Sequence, residues 1–81
     1  MITRELIDVT VERIYRHYEY MASVDEQVTT CAYGTGWRPE WHIYRMKDFN
    51  EICDMLGVKP SLVNDHHYAI IYNGVYIFCI K

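Results

Sequence analysis

The side chains in this sequence that could perform chemistry are its histidines and cysteines. The 81 residues contain four histidines and three cysteines, namely His17, His42, His66, His67, Cys31, Cys53 and Cys79. They form no Cys-x-x-Cys pair, no pair of histidines one helical turn apart, and no spacing typical of structural zinc. The sequence therefore predicts no metal site, and the adjacent pair His66-His67 is expected to lie in a solvated turn.

One cysteine and one histidine are expected to meet across a hairpin. If the chain turns symmetrically about Gly36-Trp37, Cys31 lies opposite His42 on the neighbouring strand. Such a pair could act as a nucleophile and its base, or as half of a metal site. The other interpretation is a buried thiol beside a hydrogen-bonded histidine. Because no third orienting residue can be named, we expect no catalytic residues, and the chain is not expected to be an enzyme.

The glycines give no sign of a nucleotide site. Gly34-Thr35-Gly36 lacks the third glycine of a dinucleotide-binding loop, and no glycine-rich loop ends in Lys-Ser or Lys-Thr. We therefore expect no cofactor.

Composition and charge narrow the class of protein. A chain of 81 residues that is 51% hydrophobic and 23% charged is expected to be a single globular domain spanning residues 1–81. A net charge of −3, without any basic run, argues against direct binding of nucleic acid. The stretch MITRELIDVT does not show the charged and then apolar pattern of a leader peptide, and no apolar stretch approaches about 20 residues. We therefore expect no membrane association and a cytoplasmic location.

An amphipathic helix is predicted from Thr3, a candidate N-cap, to about Ala22. Its apolar stripe consists of Ile7, Val11, Ile14, Tyr15, Tyr18 and Met21. One flank is acidic and carries Glu5, Asp8, Glu12 and Glu19. This flank is either a row of carboxylates that meets a basic groove on a partner or an ordinary solvated helix face. Tyr20 falls on the side of the helix away from the stripe.

A first hairpin is predicted from Val28–Tyr33 and the segment Glu40 to Met46, joined by the turn Gly34–Pro39. Trp37 and Arg38 in this turn belong to residue types that often anchor protein interfaces. They are therefore candidate binding residues, although Trp37 or Trp41 could instead close one end of the core.

A second helix and a second hairpin follow. Asp48 is the predicted N-cap of the helix, with Glu51 three residues later, and Gly57 is expected to end it in a left-handed conformation. The segment Leu62 to His66 gives no clear prediction. Asn73-Gly74 is typical of a type I′ turn between two strands. The resulting order αββαββ predicts an α+β two-layer sandwich, with two helices and a four-stranded, largely antiparallel sheet.

The second hairpin is apolar on both faces. The turn predicts that Tyr72 faces Val75, Ile70 faces Ile77 and Tyr68 faces Cys79. The opposite face then carries Ala69, Ile71, Tyr76, Phe78 and Ile80. Three arrangements could cover both faces: the helices pack on opposite sides, a second copy of the chain stacks on one side, or a different protein binds there.

These features favour a small cytosolic protein-binding module that occupies a partner's surface. The eight tyrosines support this interpretation, because tyrosine is enriched at binding hot spots. An inhibitor of a host or defence enzyme, encoded by a phage or mobile element, is one such hypothesis. The alternatives are a homodimeric protein that binds a small ligand and, third, a Cys-His enzyme. We expect another protein as partner, and a homodimer. The candidate binding residues are Tyr20, Trp37, Arg38, Tyr72, Tyr76, Phe78, Glu5, Asp8, Glu12 and Glu19.

Overall fold

The computed structural model describes the backbone of residues 2–24 and 38–81 and the side chains of residues 2–20 and 38–81. In chain order the elements are α1 (Arg4–Val24), β1 (Glu40–His42), α2 (Met46–Leu56), β2 (Ser61–Asn64), β3 (His67–Tyr72) and β4 (Val75–Ile80). The strands form one sheet in the order β1-β4-β3-β2. β1 is parallel to β4, whereas β3 is antiparallel to β4 and to β2. The predicted α+β class, with two helices and a mostly antiparallel four-stranded sheet, is confirmed.

The first helix begins as predicted. The backbone N–H of Leu6 donates a hydrogen bond of 3.1 Å to Oγ1 of Thr3, which is therefore the N-cap. Ile7 and Val11 of the predicted stripe are buried, and Ile14 is half-buried. The helix continues two residues beyond the predicted end, to Val24.

The start of the second helix differs from the prediction. α2 begins at Met46, and its N-cap is Arg45, whose side chain makes no capping hydrogen bond. The side chain of Met46 packs against the core, so helical structure begins two residues before Asp48. Asp48 lies in the first turn, where its carboxylate accepts a hydrogen bond of 3.1 Å from Nε of Arg45. The preceding strand also ends early, at His42 rather than at Met46.

The end of α2 follows the prediction. Gly57 adopts the left-handed conformation with φ of 67°. Its N–H donates to the carbonyl of Asp54, and the N–H of Val58 donates to the carbonyl of Cys53. These two bonds satisfy carbonyls that the last turn of the helix leaves without partners.

The second hairpin also forms in the predicted register. Asn73 and Gly74 both have positive φ, 48° and 83°, as a type I′ turn requires. Tyr72 pairs with Val75, and Ile70 pairs with Ile77.

The strand β2 occupies most of the segment that gave no prediction. All four of its residues are exposed, and a bulge between Leu62 and Asn64 interrupts its pairing with β3. The described elements follow the order αβαβββ, which fits the predicted αββαββ only roughly. The predicted strand Val28–Tyr33, the proposed partner Cys31 of His42, and Trp37 lie outside the described residues.

The core lies between the two helices and one face of the sheet. It consists of Ile7, Val11, Ile43, Phe49, Ile52, Cys53, Ile70, Val75, Ile77 and Cys79. The last four side chains point to the same side of β3 and β4, because they occupy paired or alternate positions. Both helices therefore cover the same face of the sheet. Full burial of each large apolar side chain contributes roughly 1.5–3 kcal/mol to folding.

Neither helix in the described part of the chain is long and apolar enough to cross a membrane.

Candidate functional site

The face of the sheet that α1 and α2 leave uncovered is the candidate site, and we call it the open face. It carries His42, His67, Ala69, Ile71, Tyr76, Phe78 and Ile80. The helices do not pack on opposite sides of the sheet, so the first of the three arrangements considered for the hairpin is not adopted by α1 and α2. Ile71 is 73% exposed and Ile80 is 52% exposed.

Four rings cross the open face in a row, which we call the ring row: Tyr44, His42, Phe78 and His67. The parallel pairing of β1 with β4 places His42 beside Phe78, with ring centroids 4.5 Å apart and planes 14° from parallel. On the other side of Phe78 lies His67, at 5.1 Å. His42, Phe78 and His67 are half-buried and form a preformed aromatic surface, whereas Tyr44 at the end of the row is 80% exposed.

Tyr76 contacts both His67 of the ring row and Arg38, which lies just before β1. Its hydroxyl lies 3.0 Å from Nε2 of His67, at hydrogen-bonding distance. The guanidinium of Arg38 lies over the Tyr76 ring, 3.8 Å from its centroid, and Nε of Arg38 donates a hydrogen bond of 2.9 Å to Glu40. Arg38 therefore both covers an aromatic face and neutralises the carboxylate of Glu40.

A hollow adjoins this cluster. Ala69 is only 4% exposed, and it lies in a depression of about 350 Å³ on the surface of the sheet. The other residues that line this hollow are Val58, Lys59, Ser61, Val63, Ile70, Ile71 and Tyr76. Because Ile71 stands two residues from Ala69 on the same strand face, the open face presents an apolar projection directly beside an apolar depression.

Tyr72 lies on the opposite side of the sheet from Tyr76 and Phe78. Its hydroxyl donates a hydrogen bond of 2.7 Å to Asp8 and accepts one of 2.8 Å from Arg4. The hydrogen bond with Tyr72 is the main cause that raises the pKa of Arg4 above its ordinary value. Tyr72 thus joins β3 to α1 and takes no part in the open face.

The acidic flank of α1 belongs to the helix layer. Glu5, Asp8, Glu12 and Glu19 are all exposed there. Glu12 forms an ion pair of 2.8 Å with Arg16. Tyr20 is also on α1 and is 64% exposed. The predicted binding residues that the structure describes therefore separate into two groups on opposite sides of the sheet, and of these Arg38, Tyr76 and Phe78 lie at or beside the open face.

The histidine and cysteine side chains that the structure describes form no candidate metal site, and Cys31 lies outside the described residues. No group of three or more histidine, cysteine or acidic side chains in the described ranges is arranged to hold a metal ion. Cys53 and Cys79 are buried, and burial raises the pKa of both thiols. His66 is exposed in a turn, as expected, whereas His67 is half-buried in β3 and belongs to the ring row.

A separate cleft of about 450 Å³ lies beside β1 at the edge of the sheet, and it shares His42 and Tyr44 with the ring row. It is lined by Ile2, Leu6, Trp41, His42, Ile43, Tyr44, Arg45, Asp48 and Ile52. Trp41 is half-buried against the core, as the alternative interpretation of this residue proposed.

Comparisons of the chain with protein families, with curated proteins and with solved structures gave no match.

Proposed function

We propose that this chain is a small protein-binding module that presents its open face to the surface of a partner protein. The observation that carries the proposal is the position of Ile71 and Ile80, which project from the side of the sheet opposite both helices. An antiparallel sheet with one uncovered face normally alternates apolar and polar residues, so that water meets polar side chains. An open face built from isoleucine and aromatic rings favours contact with another protein instead.

The geometry of the rings also suits binding. Aromatic side chains supply a large contact area with few rotatable bonds, so little conformational entropy is lost when a partner orders them. In the ring row Phe78 is already held between His42 and His67. A partner would therefore meet a surface that is largely ordered before binding.

The charge of the open face is compatible with burial. Glu40 is the one acidic side chain that the described strand residues direct to this face, and its ion pair with Arg38 compensates it. A partner that covers this region would not leave an unpaired carboxylate without water, which would weaken the complex.

Inhibition of an enzyme is one form that this function could take, including inhibition of a host or defence enzyme by a phage or mobile-element protein. It requires only that the open face cover the enzyme's surface, and no catalytic group on this chain. The cytoplasm suits the protein, because Cys53 and Cys79 are unpaired thiols that a reducing compartment maintains.

A small-ligand-binding protein is the second candidate function, and the apolar cleft beside Trp41 favours it. Its volume of about 450 Å³ is within the usual range for ligand pockets. The cleft has few converging polar groups, however, and Arg45 and Asp48 at its border already pair with each other. The open face therefore has the stronger support.

The proposal is tested by affinity capture from extracts of the cell that encodes the chain, followed by a binding measurement with each purified candidate. Ile71→Glu places a charge on the open face, and Val9→Glu places the same charge on α1, where Val9 is 39% exposed. We expect Ile71→Glu to weaken binding of the purified partner at least about tenfold and Val9→Glu to leave it nearly unchanged. Equal affinities of the two variants would contradict the proposal.

A further inference from the structure

The open face has a shape that complements itself. Ile71 projects from β3 and is 73% exposed, whereas Ala69, two residues earlier, forms part of the floor of the hollow. In an arrangement with two-fold symmetry, a contact from residue i to residue j is always accompanied by the contact from j to i. A second copy placed over the open face can therefore insert its Ile71 into the hollow above Ala69 and receive the first copy's Ile71 in its own.

The size of the open face permits only a weak contact. The two central strands have six residues each and are roughly 20 Å long, whereas β1 has three residues and β2 has four, and four strands spaced by about 4.8 Å span roughly 19 Å. Two such faces packed together would bury at most roughly 800 Å² in total, which is below the usual size of a stable interface and in the range of weak contacts. The expected dimer is therefore weak, with dissociation at micromolar concentrations.

The charges permit it as well. Two-fold symmetry brings each charge near a copy of itself or of its neighbours, so an uncompensated charge on the face would oppose pairing. Arg38 and Glu40 neutralise each other within one copy. Lys59, which lines the hollow and is exposed, is the remaining charge that the described residues place at this contact, and its flexible side chain must stay in contact with water when Ile71 of the other copy enters. The acidic flank of α1, which would repel a second copy, lies on the other layer of the molecule.

We infer that the open faces of two copies of this chain pack against each other in a symmetric dimer, in which Ile71 of each copy occupies the hollow above Ala69 of the other. The inference rests on the proposed function, since it names an occupant for the same face. A foreign partner would then compete with the second copy for the open face.

Sedimentation equilibrium from about 1 to about 100 µM tests the inference. We expect the wild type to approach twice its mass of 9.7 kDa as concentration rises. Ile71→Glu should remain monomeric throughout, which corresponds to at least about 100-fold weaker association. Val9→Glu, the matched control on α1, should associate like the wild type.

A second variant probes the hollow itself. Ala69→Leu fills it from within, and it should weaken association without adding charge. Circular dichroism and thermal melting establish that each variant is folded before its mass is interpreted. A monomeric wild type at about 100 µM would overturn the inference, and so would a dimer that both Ile71→Glu and Ala69→Leu leave intact.

The two proposals fail in different ways. If the wild type is monomeric but Ile71→Glu abolishes binding of a captured partner, the inference is wrong and the proposed function stands. If the dimer forms as expected but no foreign protein depends on Ile71, the dimer is supported and the proposed function is wrong.

Discussion

The hydroxyl of Tyr72 donates a hydrogen bond of 2.7 Å to the carboxylate of Asp8, and the two residues lie 64 positions apart in the chain. Arg4 completes this cluster, because it donates to the same hydroxyl and also to the carbonyl of Met55 in α2. The Tyr72 hydroxyl at the end of β3 therefore connects the sheet directly to α1, and Arg4 extends this cluster to α2.

Removal of this hydroxyl should destabilise the fold without changing the open face. We expect Tyr72→Phe to lower the free energy of unfolding by about 1 kcal/mol, since the hydrogen bond is partly accessible to water. Within residues 2–24 and 38–81 the Tyr68 hydroxyl has no hydrogen-bond partner, so Tyr68→Phe is the matched control. Urea denaturation measures both changes, and equal losses would contradict the role assigned to Tyr72.

The two glycines with positive φ should differ in their tolerance of alanine. At Gly57 a Cβ would meet nothing within 4 Å, whereas at Gly74 it would lie 2.7 Å from Cε2 of Tyr15. Both substitutions introduce backbone strain of about 1 kcal/mol. We expect Gly74→Ala to cost more than Gly57→Ala, because the Tyr15 ring must also move.

A double-mutant cycle separates these two contributions. In a Tyr15→Ala background the extra cost of Gly74→Ala should disappear, and the remaining cost should match that of Gly57→Ala. An unchanged cost of Gly74→Ala in that background would show that the ring contact is not its cause.

Truncation of isoleucine to alanine should lower the free energy of unfolding much more on one face of the hairpin than on the other. Ile77 is fully buried and Ile71 is 73% exposed, although they lie on adjacent strands. Ile77→Ala should cost about 2–4 kcal/mol in the free energy of unfolding, whereas Ile71→Ala should cost less than about 0.5 kcal/mol for the monomer. Measurements at concentrations well below dimerisation test this difference, and similar losses would mean that the faces are wrongly assigned.

The buried thiols should be unreactive while the protein is folded. Burial raises the pKa of Cys53 and Cys79, so the thiolate that reacts with iodoacetamide is scarce at neutral pH. We expect slow alkylation of both in the native protein and rapid alkylation in denaturant. Peptide mapping by mass spectrometry distinguishes them from Cys31, and fast native labelling of Cys79 would contradict its burial.

The same pKa shifts determine a pH dependence of stability. The folded state retains the thiol protons to higher pH than the unfolded state, so the unfolded state binds fewer protons above the ordinary thiol pKa. The contribution of Cys53 and Cys79 to stability should therefore be constant at neutral pH and should fall as pH rises above about 8.5. Thermal melting at increasing pH measures this fall, and Cys79→Ala should show a smaller fall than the wild type.

Local signals in the sequence were sufficient for much of the fold. The helical period placed α1, a glycine with positive φ ended α2, and Asn73-Gly74 determined the register of β3 and β4. Each of these features depends on residues that are close together in the chain, where stereochemistry leaves few alternatives. The start of α2 was wrong, because the packing of Met46 outweighed the capping preference of Asp48.

The remaining structure depends on pairing between distant residues. β2 escaped prediction because all four of its residues are exposed and a bulge disturbs its pattern. The parallel pairing of Glu40 with Tyr76 has no signature in the sequence. The ring row could not be predicted, because His42 lies beside Phe78 only when β1 pairs in parallel with β4. The open face itself was partly foreseen, because the hairpin register already placed Ile71, Tyr76 and Phe78 together.

The most direct test of the open face as a contact surface is photo-crosslinking in the cell. A photoreactive amino acid at position 71 reports on the open face, and the same group at position 9 reports on α1. We predict covalent protein adducts of discrete mass from position 71, either with a second copy or with a foreign protein, and few from position 9. Adducts that form at position 9 but not at position 71 would contradict the account.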